Sequence, residues 1–164
     1  LGLLSTAIAC GDPVIYMEHK ELWGLEGEVA PGASVPLGRA KVLREGGDLT
    51  LVTWSRTVHA ALEAAERASG RGIGVEVIDL RTLWPWDRDT VFASCARTGR
   101  LLVAHEAVRP AGFGAEIAAE VAEALGIRVK RIGSPRVPVG YSKPLEDEAR
   151  VGAERILAAI EGFH

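Results

Sequence analysis

The chain has 164 residues, 48% hydrophobic and 25% charged, a balance that suits one compact α/β domain with a sizeable core and excludes disorder for the bulk of it. Its 19 Lys and Arg are outnumbered by 22 Asp and Glu, for a net charge of -3, and never cluster along the chain, so no nucleic-acid partner is expected. No apolar run reaches the roughly 20 residues of a membrane-spanning helix, and the start lacks the basic-then-apolar layout of a signal peptide; the expectation is a soluble, cytoplasmic protein with no membrane partner.

Residues 1–8 read as the tail of an earlier element, running into the turn Cys10-Gly-Asp-Pro13. Residues 14–17 are short, apolar and β-prone, which predicts a buried strand needing neighbours. From 21 to 36 three glycines, two prolines and weak periodicity mark a surface connector and a domain boundary. Alternation over 37–44 predicts a first sheet strand, and residues 49–54 a second, more apolar one. The Glu45-Gly-Gly-Asp48 turn between them, taken by itself, predicts a hairpin.

Residues 57–69 place Val58, Ala61, Leu62, Ala65 and Ala68 on one helical face, with Glu63, Glu66 and Arg67 opposite and glycines 70 and 72 as the stop. A third strand spans 75–79. Asp87 is the expected N-cap of a helix to about Arg97, with Val91, Phe92 and Cys95 inward and Gly99 ending it. Residues 101–104 are apolar throughout, as a central strand would be. Gly112 to Gly114 opens a helix with Ile117, Val121, Ala124 and Leu125 inward. Residues 127–132, interleaved with Arg128, Lys130 and Arg131, read as an edge strand. After a Pro-rich stretch, one helix over 146–161 is expected, with Ile156, Ala159 and Ile160 inward. Strands alternating with crossover helices define a mainly parallel sheet covered on both faces.

No set of residues able to run a reaction stands out. Cys10 and Cys95 lie far apart and outside any C-x-x-C pairing, and the four histidines show no metal-ligand spacing. His105 and Glu106 are adjacent on a strand, so they point to opposite faces and cannot easily act on one atom. Gly112-x-Gly114 before a helix could cradle a phosphate, but the third glycine of a dinucleotide fingerprint is replaced by Ile117; close packing is the default reading. Ser55 and Thr57 precede a helix, where such residues usually cap. Trp84 and Trp86 flank Pro85, and two exposed indoles would be costly, so burial against the sheet or a neighbouring subunit is expected.

Six motifs in order carry a family resemblance: Asp12-Pro-Val-Ile-Tyr-Met-Glu-His-Lys20, Val35-Pro-Leu-Gly-Arg-Ala-Lys41, Leu49-Thr-Leu-Val-Thr53, Val77-Ile-Asp-Leu-Arg-Thr-Leu83 with Pro85 and Asp87, His105-Glu-Ala107 with Gly112-Phe-Gly-Ala-Glu-Ile117, and Tyr141-Ser-Lys-Pro-Leu-Glu146. Together they resemble the C-terminal half of the beta subunit of thiamine-diphosphate-dependent 2-oxo acid dehydrogenases of the branched-chain, pyruvate and acetoin types. The resemblance implies a transketolase C-terminal-like three-layer α/β/α sandwich. Its five-stranded, mostly parallel sheet would have the order 1-3-2-4-5 with strand 1 antiparallel, which overrides the local hairpin reading. It also implies a division into residues 1–20 as the remnant of a pyrimidine-binding domain, 21–36 as linker and 37–164 as the C-terminal-like domain.

In such enzymes thiamine diphosphate and magnesium lie between subunits, and the activating glutamate belongs to the other domain of the beta subunit, so no catalytic or cofactor-binding residue is assigned here. The family chemistry is oxidative decarboxylation of a 2-oxo acid with acyl transfer to lipoyl groups. This half would serve subunit association, inactive alone, with an alpha subunit, a second beta subunit and the lipoyl acyltransferase core as partners. Association would draw on Trp23, Trp84, Trp86, His105, Glu106 and Phe113, and the chain is expected to form a homodimer. By position, Ala7, Cys10 and Asp12 match a loop that in relatives holds potassium. The alternatives are the C-terminal domain of a single-chain transketolase or deoxyxylulose-phosphate synthase relative, and a stand-alone module binding an anion at Gly112 to Gly114.

Overall fold

The computed structural model describes residues 1–163; His164 lies outside the described residues. A five-stranded sheet forms from β1 (Lys41–Arg44), β2 (Leu49–Thr53), β3 (Val75–Asp79), β4 (Arg100–Val108) and β5 (Arg128–Ser134), in the order β1-β3-β2-β4-β5. β1 runs antiparallel to β3, and the other pairings are parallel. The strand order and the antiparallel first strand are those the resemblance implies.

The hairpin suggested by the 45–48 turn does not form. The turn instead passes the start of β3: a Cβ on Gly46 would lie 2.3 Å from the Val75 carbonyl carbon, so only glycine permits the crossing. Asp48 then fixes it, its carboxylate accepting from Gly74 N at 2.6 Å while its own N–H donates to Gly74 O at 2.8 Å. β1 is thereby set one strand away from β2.

β2 is buried on both faces. Leu49 and Leu51 face α2 (Thr57–Ser69) and α6 (Ala153–Glu161), while Val52 faces α3 (Arg88–Thr98) and α4 (Gly114–Leu125). Thr50, on the second face, is buried without penalty because its hydroxyl pairs with Ser94 Oγ at 2.6 Å and Thr98 Oγ1 at 2.7 Å. α3 is capped as the sequence predicts: the Asp87 carboxylate accepts from Thr90 N at 3.1 Å, and Gly99 ends the helix at φ 66°. Cys95 of α3 is buried, and that burial pushes its thiol up to about 11.

Four expectations are corrected. Residues 14–17 form no strand; Ile15 is 88% exposed and Met17 76%, because no strand lies alongside to pair with them. In α4, Ala124 faces outward and Ala118 takes the inner position with Ile117 and Val121. The final helix is two, α5 (Lys143–Ala149) and α6, broken where Val151 turns into the core and Gly152 adopts an extended backbone. β4 runs on through His105 and Glu106 instead of stopping at residue 104. Before the sheet lie α1 (Gly2–Ala9), a 3-10 turn (Lys20–Leu22) and irregular chain, and none of residues 1–40 is buried. Among the described residues no helix is long and apolar enough to cross a membrane.

Candidate functional site: the crevice between β2 and β4

In an open α/β sheet, ligands bind beyond the C-terminal ends of neighbouring strands whose connections leave in opposite directions. Here that point falls between β2 and β4: the chain leaves β2 by α2 on one face and reaches β4 by α3 on the other. Three non-glycine residues with positive φ stand just past strands at this rim, Ser55 at 56°, Arg81 at 61° and Ala111 at 57°. Such strained backbone persists only where the surroundings hold it.

The crevice is filled by the chain's own side chains. On the α3/α4 face His105 is fully buried and stacked on Trp54, ring centroids 5.1 Å apart and 18° between planes, with Phe113 edge-on to Trp54 at 6.2 Å. Glycines make the room: a Cβ at Gly112 would lie 2.8 Å from His105 Cε1, at Gly114 2.6 Å from Nε2, and at Gly133 3.0 Å from Cε1. The Gly112-x-Gly114 turn is therefore a seat for an imidazole, and it is not open to an anion. His105 Nδ1 lies 3.0 Å from Ala107 O, which makes Nδ1 the protonated nitrogen of a neutral ring. Burial holds its pKa below the ordinary value, and Arg131 adds to the shift. Nε2 is buried with no hydrogen-bond partner among the described residues.

On the opposite face Glu106 is the centre of a chain of alternating charges. Its carboxylate accepts from His19 Nε2 at 2.9 Å and Arg56 Nη1 at 3.1 Å. Arg56 Nε also pairs with Glu21, Glu21 with Arg150 Nη2 at 2.5 Å, and Arg150 with Glu146 at 2.8 Å. The hydrogen bond from Arg150 leads in holding the Glu21 carboxyl below its usual range, and Glu21 in turn raises Arg150. A carboxylate with donors on both oxygens is a poor general base, and the network's evident effect is to tie residues 19–21 across the end of the sheet. Sequence reading missed it: His19 and Glu21 gave no local signal, and Glu21 and Arg150 are 129 positions apart.

The remaining expected site residues divide by exposure. Trp23 and Trp84 are open to solvent at 67% and 81%, and Glu106 and Phe113 are half-buried. Trp86, only 5% exposed, packs against Phe92 with the Arg88 guanidinium above its ring, and like His105 it lies within this chain's own core, not at its surface. Ala7 O and Asp12 O both face the Cys10 thiol, at 3.2 and 3.8 Å. Among the described residues no three His, Cys, Asp or Glu side chains gather as a metal site would require.

A sheet of this order, with β1 antiparallel and its switch point packed shut, defines a class, and the comparisons agree on it. The chain belongs to the transketolase C-terminal domain family, which matches residues 38–156. Within it the similarity is to beta subunits of 2-oxo acid and acetoin dehydrogenases. The acetoin:2,6-dichlorophenolindophenol oxidoreductase subunit beta of Cupriavidus necator is 45% identical over 163 residues, 96% of this chain and 48% of that one. The 2-oxoisovalerate dehydrogenase subunit beta of Bacillus subtilis is 36% identical over 97% of this chain and 51% of its own length. Among solved structures, a split-gene transketolase described as an inactive beta4 tetramer matches with a TM-score of 0.75 and 31% identity, over 85% of this chain and 46% of that one. The chain thus spans about half the length of the curated relatives it matches.

Proposed function

We propose that this chain is the subunit-association part of the beta subunit of a 2-oxo acid dehydrogenase decarboxylating component. The observation that carries the reading is the closed crevice: where an open α/β sheet would hold a ligand, Trp54, His105 and Phe113 fill one side and the Glu21–Arg56–Glu106 network the other. What remains for function is surface, and Ile15, Met17, Trp23 and Trp84 provide exposed apolar groups of the kind interfaces use. The designation subunit beta in the relatives' names supports an alpha subunit as partner, and the solved neighbour described as an inactive beta4 tetramer supports a second beta subunit and association without activity; a lipoyl acyltransferase core is the partner that the proposed acyl transfer requires.

In the full assembly the activity is oxidative decarboxylation of a 2-oxo acid with acyl transfer to lipoyl groups, using thiamine diphosphate and magnesium. The crevice of this chain does not fit that cofactor, since Trp54, His105 and Phe113 fill one side and the Arg56 and Arg150 guanidinium groups on the other are already taken by Glu21 and Glu106. The potassium loop is part of the same reading, supported by the two carbonyls converging beside Cys10. The test is sedimentation and turnover together. The chain alone is expected to dimerise, to dissociate when Trp23 and Trp84 are changed to Ser, and to consume no 2-oxo acid. Joined to a full-length beta sequence and supplied with an alpha subunit, it is expected to support turnover. A monomer at high concentration, or keto-acid consumption by the chain alone, overturns the reading.

A further inference from the structure

Seven arginines among the described residues pair with carboxylates, including Arg44 with Glu66, Arg67 with Glu154, Arg71 with Glu161, Arg88 with Glu120 and Arg97 with Glu76. Arg109, Arg131, Arg136 and Arg155 line one cavity of about 390 Å³ past the C-terminal ends of β4 and β5, and none makes an ion pair among the described residues. The sequence scatters these residues, and the fold gathers them. Glu148 is the one acidic residue in the lining, so the cavity carries a net positive charge in a chain whose net charge is -3.

Two of the four guanidinium groups are already held in place by neutral acceptors. Arg131 Nη1 donates to Arg109 O at 3.0 Å; Arg155 donates from Nη1 to Arg150 O at 2.7 Å and from Nη2 to Gly133 O at 3.1 Å. Carbonyls fix direction without cancelling charge, and each guanidinium, with five N–H donors, keeps several for a ligand. Planar forks of this kind match the oxygens of a phosphate, and several converging on one volume suit a group that carries up to two negative charges. The volume is at the low end of small-molecule sites. Glu148, in the same lining, brings a carboxylate acceptor that a hydroxyl could use.

We propose that this cavity binds a small hydroxylated phosphomonoester through Arg109, Arg131, Arg136 and Arg155. The site is separate from the closed crevice and stands whether or not the association reading does. Calorimetry of the chain at low ionic strength with AMP, glycerol 3-phosphate, inorganic phosphate, adenosine and tricarballylate tests it. Saturable binding of at least one ester is expected, weakened by salt and absent for adenosine. Arg136→Gln, at an exposed residue whose side chain makes no hydrogen bond or ion pair among the described residues, is expected to weaken it roughly tenfold. The double variant Arg131→Gln/Arg155→Gln is expected to abolish it, and Arg88→Gln, outside the cavity, to leave it unchanged. If the double variant does not fold, Arg136→Gln still decides. No binding of either ester, equal affinity for inorganic phosphate or tricarballylate, or unaltered binding in Arg136→Gln overturns the proposal.

Discussion

Residues 41–163 remove Leu51, Leu102 and Ile156 completely from solvent, whereas residues 1–40 leave Ile8, Ile15 and Met17 open to it. The side chains are of one kind, and only their neighbours differ. A sheet with helices on both faces covers the apolar residues of its central strands, such as Leu51, Val52, Leu102 and Val103. An eight-residue helix followed by irregular chain supplies too few contacts to bury any residue, and the segment is tied down by polar contacts through His19 and Glu21. Burial is thus a property of the assembled layers, and apolar composition alone does not confer it.

Three experiments would break or sharpen this contrast. The largest effect is expected from Leu102→Ala, which should lower unfolding free energy by about 2–5 kcal/mol, read from the urea midpoint. A loss under about 1 kcal/mol would mean that the layered region is not the main source of stability. Next comes pH. Burial holds the His105 pKa below its ordinary value of 6.5, so on acidification the unfolded chain takes up a proton that the folded chain resists. Stability should be full above that ordinary value and decline as pH falls toward the lowered one. In His105→Phe the decline below the ordinary histidine value should flatten, measured by melting at each pH. The smallest effect should follow removal of residues 1–17, less than about 0.5 kcal/mol in unfolding but accompanied by weaker self-association. A loss of several kcal/mol would erase the distinction between the two regions.

Legibility in the sequence followed how local each signal was. The α3 cap at Asp87 and stop at Gly99 are decided within a turn of chain, and both were visible. So was the double-sided burial of β4, written as an unbroken apolar run at 101–104. The neighbour of β1 was not, because strand order depends on where α2 delivers the chain; local reading chose β2, and only the resemblance pointed to β3. Residues 14–17 look like a strand because side-chain type is local, while the absence of a partner strand is not. The break at Arg150 to Gly152 did have a trace, Gly152 itself, overruled by the helical spacing of Ile156 and Ile160. The site was the least legible part. His105 could be singled out, but its stacking on Trp54 and the bridge from Arg150 to Glu21 join residues far apart in the chain.

The two cysteine thiols have unequal fates. Cys95 sits within α3 with its proton retained up to about pH 11, while Cys10 lies exposed beside the Ala7 carbonyl. A maleimide added to the native protein should therefore modify one position only. That leaves the unaltered chain with a built-in attachment point for a fluorophore or spin label, next to the surface through which the N-terminal segment would meet its neighbours.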